Sequence, residues 1–408
     1  MLTPDARREL LATLPPTPGP GQRYLASIAK RLAMRRAETL GRVLQARKAQ
    51  SVTCPVGFRT FVMKPVGNRC NLRCSYCFFS DHQGPGLMPK EVLARLFSEV
   101  AASHMPAAEF VWHGGEPLLA GVGFYRQVLS LQRRLLPDIR VSNVMMTNGT
   151  LVTPEWADFL QTKGFRVGVS LDGPLPVHDR NRVDAAGRGS FHRVAAGIQT
   201  LRRAGLRVGT ITVYKAGNPF APRDLVDLLF GLGVSYFRLN PALDEHQGKG
   251  YPQLVADVVR ATFALGPQLR FTLLDDLMSV LLGYGPTICW MAGTCRNLVG
   301  VEPDGSLWAC CERHNQEPVL RLGSITQDSL QAIWEGAANR AHCAADDRRR
   351  AACRDGCEWG FVCQGGCAYH RVLSDGDAAG RDPLCAAYAE TFRLLVSMVD
   401  DCLQGARC

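Results

Sequence analysis

The chain has 408 residues and an apolar fraction of 46%, values typical of a globular protein with one large domain and smaller additions. Its formal net charge is +10, but residues 1–50 alone carry +7. An extended basic surface that binds nucleic acid is therefore not expected over the remaining residues. No apolar run is long enough to span a bilayer and the N-terminus has no apolar signal core. We therefore expect a cytoplasmic protein with neither a membrane nor a nucleic-acid partner.

The first 59 residues are expected to form a basic, mostly helical extension. Residues 1–22 contain several prolines and glycines, which indicates a flexible lead-in. Residues 23–49 carry apolar positions at helical spacing with basic residues between them, which predicts a helix. Two interpretations stay open: the helix packs with a solvated basic face, or it presents that face to an acidic peptide or partner.

A β-then-α rhythm runs from residue 60 to residue 245. It predicts six strands, at Thr60–Val66, Glu109–His113, Val141–Thr147, Phe165–Leu171, Leu206–Val213 and Ser235–Leu239. Pro89, Pro154 and Pro222 fall at expected helix starts, and Thr153 is a candidate N-cap. The fold class is therefore α/β with a parallel sheet, either doubly wound and open or a partial (β/α)6 barrel of the TIM type. Both arrangements bind ligands at the carboxyl ends of the strands.

Three cysteines lie in one loop directly after the first predicted strand. Cys70, Cys74 and Cys77 have the spacing C-x3-C-x2-C. Thiolates are the ligands that iron–sulfur clusters prefer, and three of them can hold three irons of a [4Fe–4S] cube while leaving the fourth open. The alternatives are a zinc site or three unrelated thiols, although zinc sites usually add a second pair of ligands nearby.

This loop resembles the cluster loop of the radical S-adenosylmethionine (SAM) superfamily, in which the open iron is chelated by the amino and carboxylate groups of SAM. Tyr76 fits the resemblance, because the family places an aromatic residue just before the third cysteine. Gly114, Gly115 and Glu116 follow the second strand and resemble the family motif that binds the amino group of SAM. The two glycines would also let the backbone approach a ligand closely.

Polar residues also follow the next two strands, at Thr147-Asn148-Gly149-Thr150 and Ser170-Leu171-Asp172-Gly173. By the same resemblance, Ser170 and the downstream Arg182 contact the ribose and carboxylate of SAM. Asp172 has a simpler alternative as a turn cap. His178-Asp179 and Arg188–Phe191 also resemble the peptide-modifying branch, but the sequence gives them no chemical role.

The C-terminal part is rich in cysteine. We expect a helical bridge over 246–288, a cluster domain over 289–390, and a helix end and tail over 391–408. Eight cysteines of the cluster domain can ligate two further [4Fe–4S] clusters: Cys289, Cys295, Cys310, Cys353, Cys357, Cys363, Cys367 and Cys385. A zinc-ribbon-like module is the alternative. Asp304-Gly305 predicts a hairpin that delivers Cys310.

This order of cysteines resembles the SPASM domain, which follows the radical SAM barrel in enzymes that modify peptides and proteins. By that resemblance, the first auxiliary cluster is held by Cys289, Cys295, Cys310 and Cys367, and the second by Cys353, Cys357, Cys363 and Cys385. The resemblance thus implies SAM, three [4Fe–4S] clusters and an electron donor such as flavodoxin or ferredoxin. Cys54, Cys343, Cys402 and Cys408 fall outside the pattern and are interpreted as structural or surface thiols.

The implied function is that of a radical SAM peptide maturase, which cleaves SAM reductively and installs a C–C, ether or thioether crosslink in a ribosomally synthesised precursor peptide. One alternative is the oxidation of a protein serine or cysteine to formylglycine, as in anaerobic sulfatase-maturing enzymes. In those enzymes an aspartate base follows the third SPASM cysteine, whereas this chain has Cys311 there. Cys311 is therefore a candidate catalytic base or hydrogen donor, with a spare ligand or a buried thiol as the alternative. A non-catalytic iron–sulfur or zinc binding protein is the third possibility.

Overall fold

The computed structural model describes residues 21–28, 30, 57–77, 86–243, 248–282, 285–293, 295–310, 318–376 and 379–403. Residues 21–28 and residue 30 are helical, as expected for the start of the basic helix. The rest of that helix lies outside the described residues, and so does Cys311.

Among the described residues, seven parallel strands form the centre of the sheet, and each strand after the first pairs with the strand before it in the chain. They are β1 (Thr60–Met63), β2 (Ala107–Trp112), β3 (Arg140–Thr147), β4 (Arg166–Ser170), β5 (Val208–Tyr214), β6 (Tyr236–Pro241) and β7 (Arg270–Phe271). This sequential order is that of a barrel, because a doubly wound sheet reverses its strand order midway. The six predicted strands are confirmed, and the short β7 adds a seventh at the edge. The sheet among the described residues ends at β7, which makes it a partial barrel.

Helices connect the parallel strands. They are α1 (Lys90–Ala102), α2 (Gly121–Leu135), α3 (Pro154–Thr162), α4 (Leu175–Asn181), α5 (Phe191–Arg203) and α6 (Pro222–Gly231). The predicted starts are confirmed: α3 and α6 begin with proline, and Thr153 Oγ1 accepts a hydrogen bond from the Trp156 N–H at 3.3 Å. Their apolar faces are buried, for example at Leu96 and Leu201. None of the helices in the described parts of the chain is long and apolar enough to cross a bilayer.

The C-terminal part contains the predicted helical bridge and a cysteine-rich unit. Its elements are α7 (Tyr251–Leu265), α8 (Thr272–Leu281), α9 (Cys289–Ala292), β8 (Leu298–Val301), β9 (Ser306–Ala309), β10 (Arg321–Ser324), α10 (Leu330–Trp334), α11 (Ala337–Gly356), α12 (Gly360–Cys363), α13 (Ala368–Asp375) and α14 (Cys385–Leu403). β8 and β9 form the predicted hairpin, with Gly305 at a φ of 83° in its turn. Cys343 is a free thiol as expected, but Cys402 is disulfide-bonded, so its interpretation as a thiol is wrong.

The cysteine-rich unit continues the barrel sheet rather than standing apart from it. β8 pairs in parallel with β1, with Phe61 opposite Val299, and β9 and β10 extend the sheet further on that side. Just beyond these two strands, the fully buried Lys64 forms an ion pair with Glu302 at 3.2 Å. The strand that leads into the Cys70 loop is therefore fixed directly to the strand that leads into the Cys310 hairpin.

Candidate active site

The loop that carries Cys70, Cys74 and Cys77 is held by backbone hydrogen bonds on two sides. On one side, the N–H groups of Gly115 and Glu116 donate to the carbonyl oxygens of Gly67 and Arg69, both at 2.8 Å. These bonds fix the beginning of the loop to the end of β2.

The other side of the loop rests on the segment after α4. The N–H of Arg73 donates to the Val183 carbonyl at 2.7 Å, and the N–H of Ser75 donates to the Asn181 carbonyl at 2.8 Å. The three cysteines are thus presented by a loop whose backbone is tied to two separate β/α units. Such a loop holds its ligands in place with little conformational freedom left to lose on cofactor binding.

The two glycines of the Gly114–Glu116 string are required by the approach of the cluster loop. A Cβ on Gly115 would lie 1.9 Å from the Arg69 carbonyl oxygen, and one on Gly114 would lie 2.7 Å from that of Gly67. Gly114 also has a φ of 109°, which other residues rarely adopt. The close approach seen here is to the protein's own loop; contact of these glycines with SAM stays a prediction.

Glu116 is fully buried and joins the ends of two neighbouring strands. Its Oε1 accepts hydrogen bonds from Thr147 Oγ1 at 2.7 Å and from the Leu118 N–H at 3.0 Å, and its Oε2 accepts one from the Asn148 N–H at 2.7 Å. Burial raises the pKa of Glu116 to about 7, although these donors oppose the shift. The side chain therefore has an internal role in shaping the site, while its predicted contact with the SAM amino group remains a prediction.

Asp172 connects Tyr76 of the cluster loop to Arg182. The Tyr76 hydroxyl donates to Asp172 Oδ2 at 2.5 Å, and Arg182 Nε forms an ion pair with the same oxygen at 3.0 Å. The Val213 N–H donates to Asp172 Oδ1, so the carboxylate also reaches β5 and does more than cap a turn. Arg182 lies over the Tyr76 ring, and its Nη1 is 4.0 Å from Cys74 Sγ.

The predicted SAM ligands Ser170 and Arg182 lie on the same side of the sheet as the cluster loop. Ser170 ends β4 and is partly buried, and its hydroxyl has no hydrogen-bond partner among the described residues. Arg182 is almost completely buried. Both positions are compatible with the predicted roles, which stay predictions.

His178 supports this arrangement from behind. Its Nδ1 accepts a hydrogen bond from the Asp172 N–H at 3.2 Å, so its Nε2 carries the proton and donates to Ser190 Oγ at 2.9 Å. Ser190 Oγ in turn donates to the Arg182 carbonyl at 2.7 Å. Burial lowers the pKa of His178 to about 3, so the ring is neutral. His178, which had no role from the sequence, thus fixes the backbone of both members of the ion pair.

The auxiliary cysteines fall into two groups. Cys353, Cys357, Cys363 and Cys385 line one cavity together. Cys367 instead interacts electrostatically with Cys289 and Cys295, although it lies only four residues after Cys363. The family resemblance implies the same separation of Cys367 from Cys363, and the division of these cysteines between two clusters stays a prediction. Cys310 ends the hairpin with a φ of 115°, a strained backbone conformation for a residue with a side chain.

The donor set fits iron–sulfur clusters. Burial raises the pKa of Cys70 and of Cys363 to about 12 each, and raises that of Cys367 well above its usual value. Grouped thiols in such surroundings become thiolates when positively charged irons compensate their charge. Among the described residues, no three Cys, His, Asp or Glu side chains come close enough to share a single metal ion.

Comparison with protein families shows which family this chain belongs to. The model of the radical SAM superfamily matches residues 65–240, and the model of the SPASM iron–sulfur cluster-binding domain matches residues 289–358. The chain is also 30% identical to the serine-type anaerobic sulfatase-maturating enzyme of Klebsiella aerogenes, over 83% of this chain and 85% of that one. The chain belongs to the radical SAM superfamily.

One further sequence relative and one solved structure are similar to this radical SAM enzyme over most of its length. The cysteine-type anaerobic sulfatase-maturating enzyme of Clostridium perfringens is 27% identical over 82% of this chain and 95% of its own length. A solved structure described as "Native anSMEcpe with bound AdoMet and Cp18Cys peptide" superposes with a TM-score of 0.74 at 26% identity, covering 85% of this chain and 99% of that one. The radical SAM and SPASM domains imply SAM and iron–sulfur clusters as cofactors of this enzyme.

Some residues that shape the radical SAM site were not predicted as site residues. Asn148 Nδ2 lies 3.8 Å from Cys70 Sγ and donates to Asn71 Oδ1 at 2.9 Å, and Asn181 and Asp184 lie on the segment that supports the cluster loop. The polar string at the end of the third strand was a signal for Asn148. Nothing in the sequence marked Asn181 or Asp184, because their partners lie more than a hundred residues earlier in the chain.

A glycine substitution tests the fit between Gly115 and the cluster loop. We expect Gly115→Ala to displace the backbone at Arg69 and to lower the occupancy of the Cys70 cluster while the auxiliary clusters remain. The measurement is the iron content and the EPR signal of the SAM-binding cluster after anaerobic reconstitution. Gly123→Ala is the matched control, because a Cβ there meets nothing within 4 Å. Full loading of the Gly115 variant would contradict the assigned contact.

A pH titration tests the neutral state of His178. Its pKa is about 3 when folded against an ordinary 6.5, so its stabilisation is complete above pH 6.5 and is lost as the pH falls towards 3. This contributes about 1.4 kcal/mol for each pH unit below the unfolded pKa. We therefore expect the melting temperature of His178→Asn to fall less than that of the unmodified protein between about pH 7 and pH 5.5. His192→Asn, which changes an exposed histidine outside these hydrogen bonds, is the control variant.

Proposed function

We propose that this radical SAM enzyme modifies a ribosomally synthesised precursor peptide and that the product is a C–C, ether or thioether crosslink. The observation that carries the proposal is the division of the auxiliary cysteines into two groups, one of which supplies four thiols to one cavity. With Cys310 added to the first group by the family pattern, eight cysteines would fully ligate two [4Fe–4S] clusters and bring the proposed number of clusters to three. Fully ligated clusters have no open iron for substrate, so they serve as electron acceptors.

When bound at Cys70, Cys74 and Cys77, the cluster and SAM supply a 5′-deoxyadenosyl radical that takes a hydrogen atom from the substrate. The chain's own residues orient this chemistry. Arg182, held by Asp172, offers a buried cation beside the cluster loop for the carboxylate of SAM. In this proposal Ser170 offers a hydroxyl to the ribose, and the segment of Gly114, Gly115 and Glu116 binds the amino group.

Oxidation of a protein serine or cysteine to formylglycine is the second candidate. It is favoured by the relatives, since both the serine-type and the cysteine-type sulfatase-maturating enzymes match most of the chain. The residue after Cys310 counts against it, because Cys311 stands where those enzymes have an aspartate base. In either case the substrate is a peptide or protein, and the electron donor is a carrier of the flavodoxin or ferredoxin class.

The first experiment establishes the cofactors. After anaerobic reconstitution we expect about twelve irons per chain, four for each of three clusters. With dithionite and SAM, the enzyme should form 5′-deoxyadenosine, and Cys70→Ala should abolish this by removing a cluster ligand. Cys343→Ala is the control. It should keep both the iron content and the formation of 5′-deoxyadenosine, because Cys343 is a free thiol outside all three groups. About four irons with intact SAM cleavage would contradict the assignment of the auxiliary clusters.

The second experiment separates the two products and tests Cys311. With a ribosomally synthesised precursor peptide as substrate, we expect loss of two hydrogen atoms and no carbonyl, read by mass spectrometry and by hydrazide labelling. Cys311→Ser should keep formation of 5′-deoxyadenosine but lower peptide product at least tenfold, because a hydroxyl is a far weaker acid than a thiol. Unchanged product would remove the catalytic role of Cys311. A labelled aldehyde on a sulfatase-derived peptide would support formylglycine formation instead.

A further inference from the structure

The barrel strands bury one face and leave the other partly open. Helices cover the outer face, where the centroid of the Phe110 ring lies 5.1 Å from that of the Phe97 ring on α1. Side chains alternate between the two faces of a strand, so every second residue points into the barrel. On this inner face Val144, Ile211 and Val213 are only partly buried. The lumen of the barrel therefore has room for a ligand.

A row of four residues closes this lumen from below. Met146, Gly168, Gly209 and Tyr236 are neighbours on β3, β4, β5 and β6. A Cβ on Gly168 would lie 2.7 Å from Met146 Sδ, and one on Gly209 would lie 2.1 Å from a carbon of the Tyr236 ring. The side chains of Met146 and Tyr236 thus lie over the two glycines. A ligand in the lumen is therefore held above this row, towards the carboxyl ends of the strands.

Arg238 lies directly above this row, at the same level as Ser170. Ser170 pairs with Ile211 and Ile211 pairs with Arg238, so the three residues share the inner face. Neighbouring strands are about 4.8 Å apart, which places the backbones of Ser170 and Arg238 about 10 Å from each other. Arg238 is partly exposed, and its side chain has no hydrogen bond or ion pair with another described residue.

Other cationic side chains at the ends of the strands already have carboxylate partners. The buried Lys64 forms an ion pair with Glu302 at 3.2 Å, and Arg182 forms one with Asp172 at 3.0 Å. A guanidinium that is removed in part from water favours such a partner, because the partner restores the interactions that water would provide. Arg238 differs from these two residues in facing the lumen without one.

The carboxylate of Asp276, on α8, senses the charge of Arg238 but is engaged elsewhere. Burial raises the pKa of Asp276, and its hydrogen bonds with Thr287 and Ile288 and the charge of Arg238 oppose that rise. Asp276 Oδ2 accepts from the Ile288 N–H at 2.7 Å, and its Oδ1 accepts from Thr287 Oγ1 at 3.0 Å. Asp276 therefore fixes the turn before α9 and leaves the guanidinium of Arg238 available to a ligand.

We propose that Arg238 binds a carboxylate side chain of the peptide substrate, so that the enzyme selects peptides with an acidic residue near the residue it modifies. Guanidinium and carboxylate groups form strong, often bidentate hydrogen bonds. The carboxylate of SAM is assigned to Arg182, so the carboxylate at Arg238 comes from the peptide. Asn240 lies two residues further along the same face, and its amide is available to the peptide backbone.

The distance between Ser170 and Arg238 limits where the acidic residue stands in the peptide. Ser170 is assigned to the ribose of SAM, which carries the carbon that takes the hydrogen atom. About 10 Å corresponds to about three residues of extended peptide. The acidic residue is therefore expected within three positions of the modified one. The inference rests on the proposed function, because it requires a peptide substrate beside SAM in the lumen.

Affinity selection of synthetic peptides by the full-length reconstituted protein with SAM tests this inference. The probes are pools of nonapeptides with cysteine at the centre, one of the three positions on either side of it fixed as Glu, Gln or Lys, and the other positions randomised. We expect the Glu pool to be retained about tenfold better than the Gln pool at one or two of the six positions, as counted by mass spectrometry. Arg238→Gln should remove this preference, and Arg238→Glu should transfer it to the Lys pool at the same positions.

Arg166→Gln is the matched control. Arg166 also lies on the inner face of the sheet, but at the opposite end of β4, where it forms an ion pair with Glu109. Removing its charge changes the net charge of the protein by the same amount as Arg238→Gln does. The control variant should therefore keep the positional preference for Glu.

Four results would overturn the inference. The first is the absence of a Glu preference in the unmodified protein, which decides the matter even if the variants do not fold. The second is a preference of equal size at all six positions, since this would reflect net charge alone. The third is a positional preference that Arg238→Gln leaves intact. The fourth is an Arg238→Gln variant that binds SAM more weakly and keeps the peptide preference, which would make Arg238 a SAM ligand.

Turnover of the retained peptides with dithionite separates this inference from the proposed function. A carbonyl product on peptides retained through Glu contradicts the proposed crosslink and leaves the carboxylate site at Arg238 supported. A product that has lost two hydrogen atoms, formed from peptides retained without any preference for Glu, supports the crosslink and contradicts the role of Arg238.

Discussion

The site depends on one constraint: three thiols must be held together on a single short loop, in surroundings that resist their ionisation. Burial raises the pKa of Cys70 to about 12, so this cysteine is a neutral thiol in the absence of iron and contributes no charge interaction that would hold the loop. Other interactions must therefore fix the conformation of the loop. The backbone hydrogen bonds from Gly115 and Glu116 on one side, and to Val183 and Asn181 on the other, supply it.

This requirement explains the residues around the loop. Gly115 is small because the Arg69 carbonyl passes within contact of its Cα, and Glu116 is buried because it joins β2 to β3 at the place where the loop docks. On the other side of the loop, hydrogen bonds of Asp172 and His178 hold the segment that includes Arg182. The polar groups at the strand ends are thus engaged mainly with one another, which holds their side chains in fixed positions.

The cysteine-rich unit is attached directly to the barrel sheet. Because β8 pairs with β1, the strand before Cys70 and the strand before the Cys310 hairpin belong to one sheet, and the Lys64–Glu302 ion pair joins their ends. The sheet therefore holds the strand before Cys70 and the hairpin before Cys310 at a fixed separation.

The sequence alone determined the α/β class, the six strands and their helix starts, because these follow from local periodicity, proline positions and capping. It also singled out the cysteines whose spacing is local, such as the three of the Cys70 loop, and their roles as cluster ligands stay a prediction. Only the tertiary structure decided that β8 extends the barrel sheet and that Asn181 and Val183 support the cluster loop. These contacts join residues distant in the chain, and side chains such as those of Asp172 and His178 acquire their roles from burial and partners. The physical reason is that burial and long-range hydrogen bonding exist only after the chain has folded.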